Sequence, residues 1–474
     1  MITVDFESRG NSGLCEYLYS SIKNQILSGS LSADEKLPSK RALSEHLGVS
    51  VITVQNAYSQ LIEEGYLYSI EKKGFFVTDI HPEEENEKSD SAESAQKNSN
   101  QNELEEIPEK PEFFTDFSSN STGFEKFPFS LWAHEMREVL NSGNERLLHR
   151  SSVNGIFELR LALAKHLSEF RNMQVSPAQI VIGAGTETLY SMVVQLLGQD
   201  KTYAVENPGY HKVASVINLN GAKCRPVDID PQGMNPDFLE KAGAQIAHVS
   251  PAHHFPTGTV MPVRRRRELL SWASKMPERY IIEDEYDSEF RFNGKPLQTL
   301  FSSDQNGKVI YINTFSKTLA PSFRLSFMIL PPQLIPVFRK KMGFYSCPVS
   351  VFEQFTLAVF MQKGHYAKHL IRMKNYYRNL RNELIGAINQ SGLSKITEIQ
   401  EEEAGLHFLL KTKTGKSIDL IKTKLKEQNI NLPLLADFYY GTPPAQSLST
   451  FIVNYSGIKK ERIKETVNRL ANAL

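Results

Sequence analysis

Lys317 sits in the run TFSKTLAPSFR, residues 314–324, behind small hydroxyl residues and an aromatic and seven positions before Arg324. An amine that burial and neighbouring cations make less basic adds to an aldehyde. Upstream, IIEDEY at residues 281–286 is an apolar run ending in carboxylates and a phenol. A buried strand that delivers polar groups at its carboxyl end reads in this way. A third stretch, GAGT at residues 183–186, follows a strand-like run and opens a helix-like one. Backbone N–H groups at such a junction cradle a phosphate. Together the three suit one cofactor, pyridoxal 5′-phosphate, which needs a Schiff-base lysine, an acid opposite its pyridine nitrogen and a phosphate cup.

Such residues must be positioned by a scaffold. Apolar β-type runs at 180–182, 202–205, 246–249, 280–282, 309–312 and 326–330 alternate with helical patterns. This predicts a largely parallel sheet covered on both faces, with ligand groups gathered at the strand ends. On a strand continuing through residue 285, Glu283 and Glu285 point away from Asp284 and are given no role. From about residue 352, long helical periodicity and then GLHFLL (405–410) and FIVNY (451–455) predict a smaller α/β lobe.

The first 79 residues follow another plan. Leu14, Leu18, Ile22 and Ile26 share one helical face, and Gly29 is a plausible stop. In LPSKRALSEHLGVS, residues 37–50, Ser39 can cap a helix carrying Leu43 and Leu47, and Gly48 makes the turn. A further helix from about Val51 to Glu64 and two short strands around Lys72, Lys73 and Gly74 complete a winged helix-turn-helix. The expected partner is a double-stranded DNA operator. Ser39, Lys40 and Arg41 would anchor phosphates, Ser50, Thr53, Gln55 and Asn56 stand at or near the start of the recognition helix, and the wing adds Lys72 and Lys73. A three-helix protein-interaction module with a solvated polar face is the alternative.

Residues 80–112 are rich in Glu, Ser, Asn, Gln and Lys and nearly devoid of large apolar side chains, so they are expected to form a disordered acidic linker. A random coil of roughly 30 residues spans about 30 Å.

The chain has 474 residues, with 54 basic and 54 acidic side chains, so two or more domains are expected and no global field draws it to nucleic acid or membrane. Any DNA contact must come from a local patch. Three scattered cysteines, Cys15, Cys224 and Cys347, form neither a disulfide framework nor a metal-ligand cluster, and no metal is expected. No apolar run reaches spanning length, and a cytoplasmic location is expected.

Residues from about 113 to the end resemble fold type I aminotransferases. With the N-terminal segment added, the whole chain resembles the MocR family, in which a GntR-type winged helix is fused to an aminotransferase-like domain. The resemblance implies domains at 1–79 and 113–474 around the linker. It implies roles as well. Arg324 resembles the family's phosphate-binding arginine, with Ser316, Ala184, Gly185 and Thr186 completing the cup. Asp284 would pair with the pyridine nitrogen, Tyr286 with the ring's phenolate oxygen, and Tyr210 in ENPGY would stack on the ring. In PAHHFPTG, residues 251–258, aminotransferases commonly carry asparagine where Phe255 stands, so His253 would be either a substitute polar neighbour of the cofactor or a structural histidine. Relatives usually have arginine at the position of Val51 and often glycine at that of Ser322. Type I sites form between subunits, which implies a homodimer with the winged helix reaching over the partner subunit.

Two function classes compete. GabR-like members carry a carboxylate-gripping arginine in the stretch corresponding to LPLLADFYYGT (432–442) and two arginines after PGY, whereas this chain has none in the first and His211 and Lys212 in the second. Both differences point to the PdxR-like branch. There the expected function is a transcriptional regulator of vitamin B6 biosynthesis genes rather than an enzyme, with pyridoxal phosphate itself as effector. It would activate when the cofactor is scarce and be released or altered when Lys317 captures it. The alternatives are a GabR-like amino-acid sensor or an active aminotransferase. Limited proteolysis should cut first within residues 80–112 and release two resistant fragments, read by mass spectrometry; first cuts inside the larger fragment would contradict the boundaries.

Overall fold

A computed structural model describes the chain except residues 1, 3, 5, 11, 81–111, 119–125, 293, 295–296 and 404. The expected linker thus lies almost wholly outside the described residues. The chain divides into two units, residues 1–107 and 108–474.

In the first unit, helix α1 (Leu14–Leu27) buries Leu18, Ile22 and Ile26. Ser39 accepts the Ala42 N–H at 3.2 Å and so starts α2 (Lys40–Leu47), which Gly48 ends in the left-handed region at φ 67°. Ser50 accepts the Thr53 N–H at 3.1 Å and starts α3 (Val51–Glu63). Side-chain caps of this kind satisfy N–H groups that a helix start leaves open. A small sheet follows in the order β1 (Lys36–Leu37), β3 (Gly74–Val77), β2 (Leu67–Ile70). Leu18, Leu43, Val54, Tyr58 and Leu61 form its closed core with the helices, and Tyr58 donates its hydroxyl to the Pro38 carbonyl at 3.0 Å. This is the winged helix-turn-helix expected.

The second unit opens on the short strand β4 (Thr115–Asp116) and then builds an eight-stranded sheet. In chain order its strands are β5 (Ile180–Gly183), β6 (Thr202–Asn207), β7 (Lys223–Asp230), β8 (Gly233–Met234), β9 (Ile246–Val249), β10 (Tyr280–Glu285), β11 (Val309–Thr314) and β12 (Ser326–Ile329). In space they run β5-β12-β11-β10-β9-β6-β7-β8. The block β11, β10, β9, β6 and β7 is parallel, while β12 is antiparallel to both its neighbours. All six strands read from the sequence are present. β7 was not foreseen, because KCRPVDID mixes charges and a proline as only a strand near a sheet edge tolerates.

The smaller lobe is an antiparallel sheet of β13 (Thr397–Gln400), β14 (His407–Thr412) and β16 (Thr450–Asn454). A separate two-stranded ladder pairs β15 (Ile430–Asn431) with β4, and Phe117 is buried with Leu406, Phe408 and Phe451. This lobe does not begin near residue 352 as expected. Phe355, Leu357 and Phe360 of helix Val351–Gln362 pack with Ile180 and Phe327 in the large sheet's core, and the core of the smaller lobe starts at Met373 within helix His365–Gln390. Periodicity alone shows that a helix is amphipathic, not which core receives its apolar face.

The expectation for Glu283 and Glu285 also needs correction. Both are buried and structural. Glu283 accepts the N–H groups of Leu300 and Phe301 at 2.7 and 2.8 Å, and burial raises its pKa. Glu285 is ion-paired with Arg171 and accepts the Tyr311 hydroxyl at 3.3 Å. Arg171→Leu should therefore cost the larger unit about 3–5 kcal/mol in urea denaturation, because it strands a buried charge. Arg264→Leu, which removes the exposed pair to Glu268, should cost at most about 1 kcal/mol.

Candidate functional site

A cavity of about 450 Å³ opens at the carboxyl ends of β10 and β11. Asp284 comes from β10 itself, Tyr286 and Asp287 from the turn after it, and Ser316 and Lys317 from the turn after β11. Thr186 faces them from the start of helix Thr186–Leu197, and Tyr210 from the segment after β6. The smaller lobe closes the space with Leu406, His407, Pro433, Phe438, Ile452 and Asn454. The structure thus brings Lys317, Asp284, Tyr286, Arg324, Ser316, Thr186 and Tyr210 together around one space.

Burial lowers the pKa of Lys317 to about 8, against a smaller opposing pull from Asp287. Near neutral pH the amine is then uncharged in an appreciable fraction of molecules and nucleophilic. Asp284 is buried, and its two oxygens differ. Oδ2 accepts the Tyr190 hydroxyl and stands 3.3 Å from His248 Nε2, whereas Oδ1 has no hydrogen-bond partner. An orphaned buried acceptor is costly unless a ligand donor meets it, and a protonated pyridine nitrogen is such a donor. The donor set therefore fits pyridoxal phosphate. Burial, with Asp287, Asp284 and Glu206 adding to it, raises the Tyr286 phenol well above its ordinary pKa, so Tyr286 remains an O–H donor.

His253 does not line the cavity; His254 does. His253 stands behind Tyr286, with Nδ1 3.0 Å from Asp287 Oδ2 and 3.2 Å from the Tyr286 hydroxyl, so of the two readings the structural one matches its place. Asp287 in turn accepts the Leu406 N–H at 3.1 Å, which ties β10 to the smaller lobe. His254 lies 3.4 Å from Glu206 and 2.7 Å from the Thr257 hydroxyl. Burial lowers His254 to about 3 and raises Glu206 to about 8. His253, Asp287 and His407 bring potential ligand atoms within 4.8 Å of one another, but Asp287 is already held by His253 and the Leu406 N–H, and His407 stands 3.2 Å from the Pro256 carbonyl.

At the phosphate side Gly185 has φ 91°, and a Cβ there would overlap Arg324 Nη2. Only glycine permits this approach. Arg324, itself left-handed at φ 46°, places Nη2 2.5 Å from Glu187 Oε2, and Lys212 Nζ reaches Glu187 Oε1 at 3.1 Å. Ser316 Oγ is 2.9 Å from Thr314 Oγ1. Ala184 packs its methyl against the core and offers only backbone to the cup. Sequence reading missed Glu187, Tyr190, His248 and His254, and it took Lys212 only as a departure from the GabR-like arginines. Tyr190 had a faint signal, as a phenol on the otherwise apolar face of its helix.

In the first unit Arg41, Gln55, Asn56, Lys72 and Lys73 are exposed, and Lys40 lies 5.4 Å over the Phe75 ring. Ser39 and Ser50 spend their oxygens as caps, and Ser50 Oγ is 2.8 Å from Thr53 Oγ1. Ile52, 70% exposed in the first turn of α3, was overlooked. It lies outside the buried set Val54, Ala57, Tyr58 and Leu61, and an exposed apolar group there suits a thymine methyl.

Residues 14–77 match the bacterial regulatory proteins of the gntR family, and residues 114–470 match aminotransferase class I and II. The HTH-type transcriptional regulator YhdI of Bacillus subtilis is 33% identical over 100% of this chain and 98% of its own length. MocR of Rhizobium meliloti, a regulatory protein, is 28% identical over 96% of this chain and 92% of its own. The pyridoxine biosynthesis transcriptional regulator PdxR of Corynebacterium glutamicum is also 28% identical, over 89% and 88%. An archaeal alanine:glyoxylate aminotransferase shares the fold, with a TM-score of 0.66 at 24% identity over 76% of this chain and 90% of that one. The winged helix, the aminotransferase fold and this full-length similarity together make the chain a member of the MocR-type transcriptional regulators of the GntR family.

Proposed function

We propose that this regulator takes pyridoxal phosphate itself as its effector, captured at Lys317, and that it governs genes that make or salvage vitamin B6. One observation carries this reading. Among the described residues lining the cavity from the smaller lobe there is neither arginine nor lysine, and burial keeps His407 well below the ordinary imidazole pKa. The α-carboxylate of an amino acid would find no counter-charge there, whereas Lys317, Asp284, Tyr286, Ser316 and Arg324, which suit the cofactor, line the same space. This favours the cofactor as ligand over an amino-acid effector or a transamination substrate.

Bound pyridoxal phosphate supplies an electrophilic aldehyde on an electron-withdrawing ring. Lys317 would hold the aldehyde carbon, Asp284 Oδ1 would accept the ring N–H, and Tyr286 would donate to the ring oxygen. Ser316, Arg324 and the first turn of helix Thr186–Leu197 would hold the phosphate. Capture regulates only if one arrangement of the protein binds the cofactor better than another, because equal affinity shifts no population. We read the assembly as a homodimer whose two α3 helices meet paired half-sites, with activation when the cofactor is scarce.

Adding the cofactor should produce a visible absorption band that Lys317→Ala abolishes; a wild-type protein without the band would end the sensor reading. The rate at which the band appears should rise with pH and level off above about 8, since only the neutral amine attacks. Well below that value the rate should fall about tenfold per pH unit. Gel-shift assays on the chain's own upstream region and on B6 synthase promoters should change when pyridoxal phosphate is added. Turnover of amino acids at enzymatic rates, with DNA binding indifferent to the cofactor, would overturn the assignment.

A further inference from the structure

The phosphate side of the cavity holds one group that no phosphate site needs. Glu187, the second residue of helix Thr186–Leu197, lines the cavity and is itself an anion. An acid in the first turn of a helix is ordinary, since it faces the positive end of the dipole. Here, however, the side chain is also engaged by two cations from other elements. Its Oε2 lies 2.5 Å from Arg324 Nη2 and its Oε1 lies 3.1 Å from Lys212 Nζ. A Cβ built on Gly185 would overlap Arg324 Nη2 and meet Glu187 Oε2 at 2.9 Å, so guanidinium and carboxylate both lie over the glycine that opens the helix. That is the place where a phosphate would receive the N–H groups of the first turn.

We infer that Glu187 is a resident counter-anion of the phosphate cup, competing with the ligand's phosphate for Arg324 and Lys212 and thereby setting the affinity for phosphorylated ligands. The inference rests on the reading of pyridoxal phosphate as the ligand. For the dianion to reach Arg324 it must displace the carboxylate or share the guanidinium with it, and two anions sharing one cation repel. Each ion pair is partly exposed, with side-chain exposures of 51% for Arg324, 31% for Glu187 and 51% for Lys212, so the carboxylate can move away without stranding a buried charge. A site weakened in this way suits a sensor. Its occupancy follows the free ligand concentration, whereas an uncontested cup would stay filled.

Glu187→Gln keeps the size of the side chain and removes its charge. On the full-length protein it should lower the dissociation constant of pyridoxal phosphate, titrated by the Lys317-dependent absorption band, by about tenfold, the effect of one additional charge-assisted hydrogen bond. Pyridoxal, which has no phosphate, should shift by less than about twofold. Inorganic phosphate, followed by ³¹P line broadening, should bind more tightly to Glu187→Gln than to wild type, and adding Arg324→Ala should cancel the difference. Unchanged or weaker phosphate binding in Glu187→Gln, or equal shifts for pyridoxal and its phosphate, would overturn the inference. Absence of the absorption band in wild type would instead overturn the reading beneath it, while the ³¹P comparison still decides the role of Glu187.

Discussion

The larger unit is organised around a problem of burial. β10 and the turn after it carry Glu283, Asp284, Glu285 and Asp287 through the interior, where an ionised carboxylate is costly unless paired. The fold answers three of them with its own groups. Glu283 takes two backbone N–H groups, Glu285 takes Arg171, and Asp287 takes His253 and the Leu406 N–H. Asp284 accepts the Tyr190 hydroxyl on Oδ2, with His248 Nε2 3.3 Å away, and has no hydrogen bond on Oδ1. Of the buried carboxylate oxygens left without a hydrogen bond among the described residues, Asp284 Oδ1, Glu285 Oε1 and Glu289 Oε2, only the first belongs to a residue lining the cavity that contains the buried amine.

The remaining site groups depend on the same strand ends. In parallel β10 and β11 the register pairs Asp284 with Ile312 and Glu285 with Asn313, so the turn carrying Ser316 and Lys317 emerges beside the turn carrying Tyr286 and Asp287. Antiparallel β12 then returns beside β11 and brings Arg324, just ahead of it, back toward Gly185, which follows β5 on its other side. Sheet order therefore brings Gly185 and Arg324, far apart in sequence, to one rim of the cavity.

Much of this was legible because it is local. Apolar runs alternating with helical patterns marked the six strands, and the run from Lys317 to Arg324 with the polar end of IIEDEY marked residues that line one cavity. Partnerships across the fold were not legible. Glu283 and Glu285 alternate with Asp284 and so were assigned to the far side, correctly in direction; that the far side was the interior, with Arg171 waiting there, depends on how helix Phe157–Arg171 packs. His253 and His254 are adjacent, and only the path of the turn decides which of them meets the cavity. Glu187 stands in a first helical turn, where an acid is ordinary, and nothing local marks the two cations that Arg324 and Lys212 bring to it from other elements.

The ladder between β4 and β15 ties residues 115–116 into the smaller lobe, and Phe117 and Ser118, immediately beyond, line the cavity. Residues 115–116 are thus paired with the smaller lobe and not with the eight-stranded sheet. Any displacement of the smaller lobe would therefore carry β4 and the cavity-lining Phe117 and Ser118 with it.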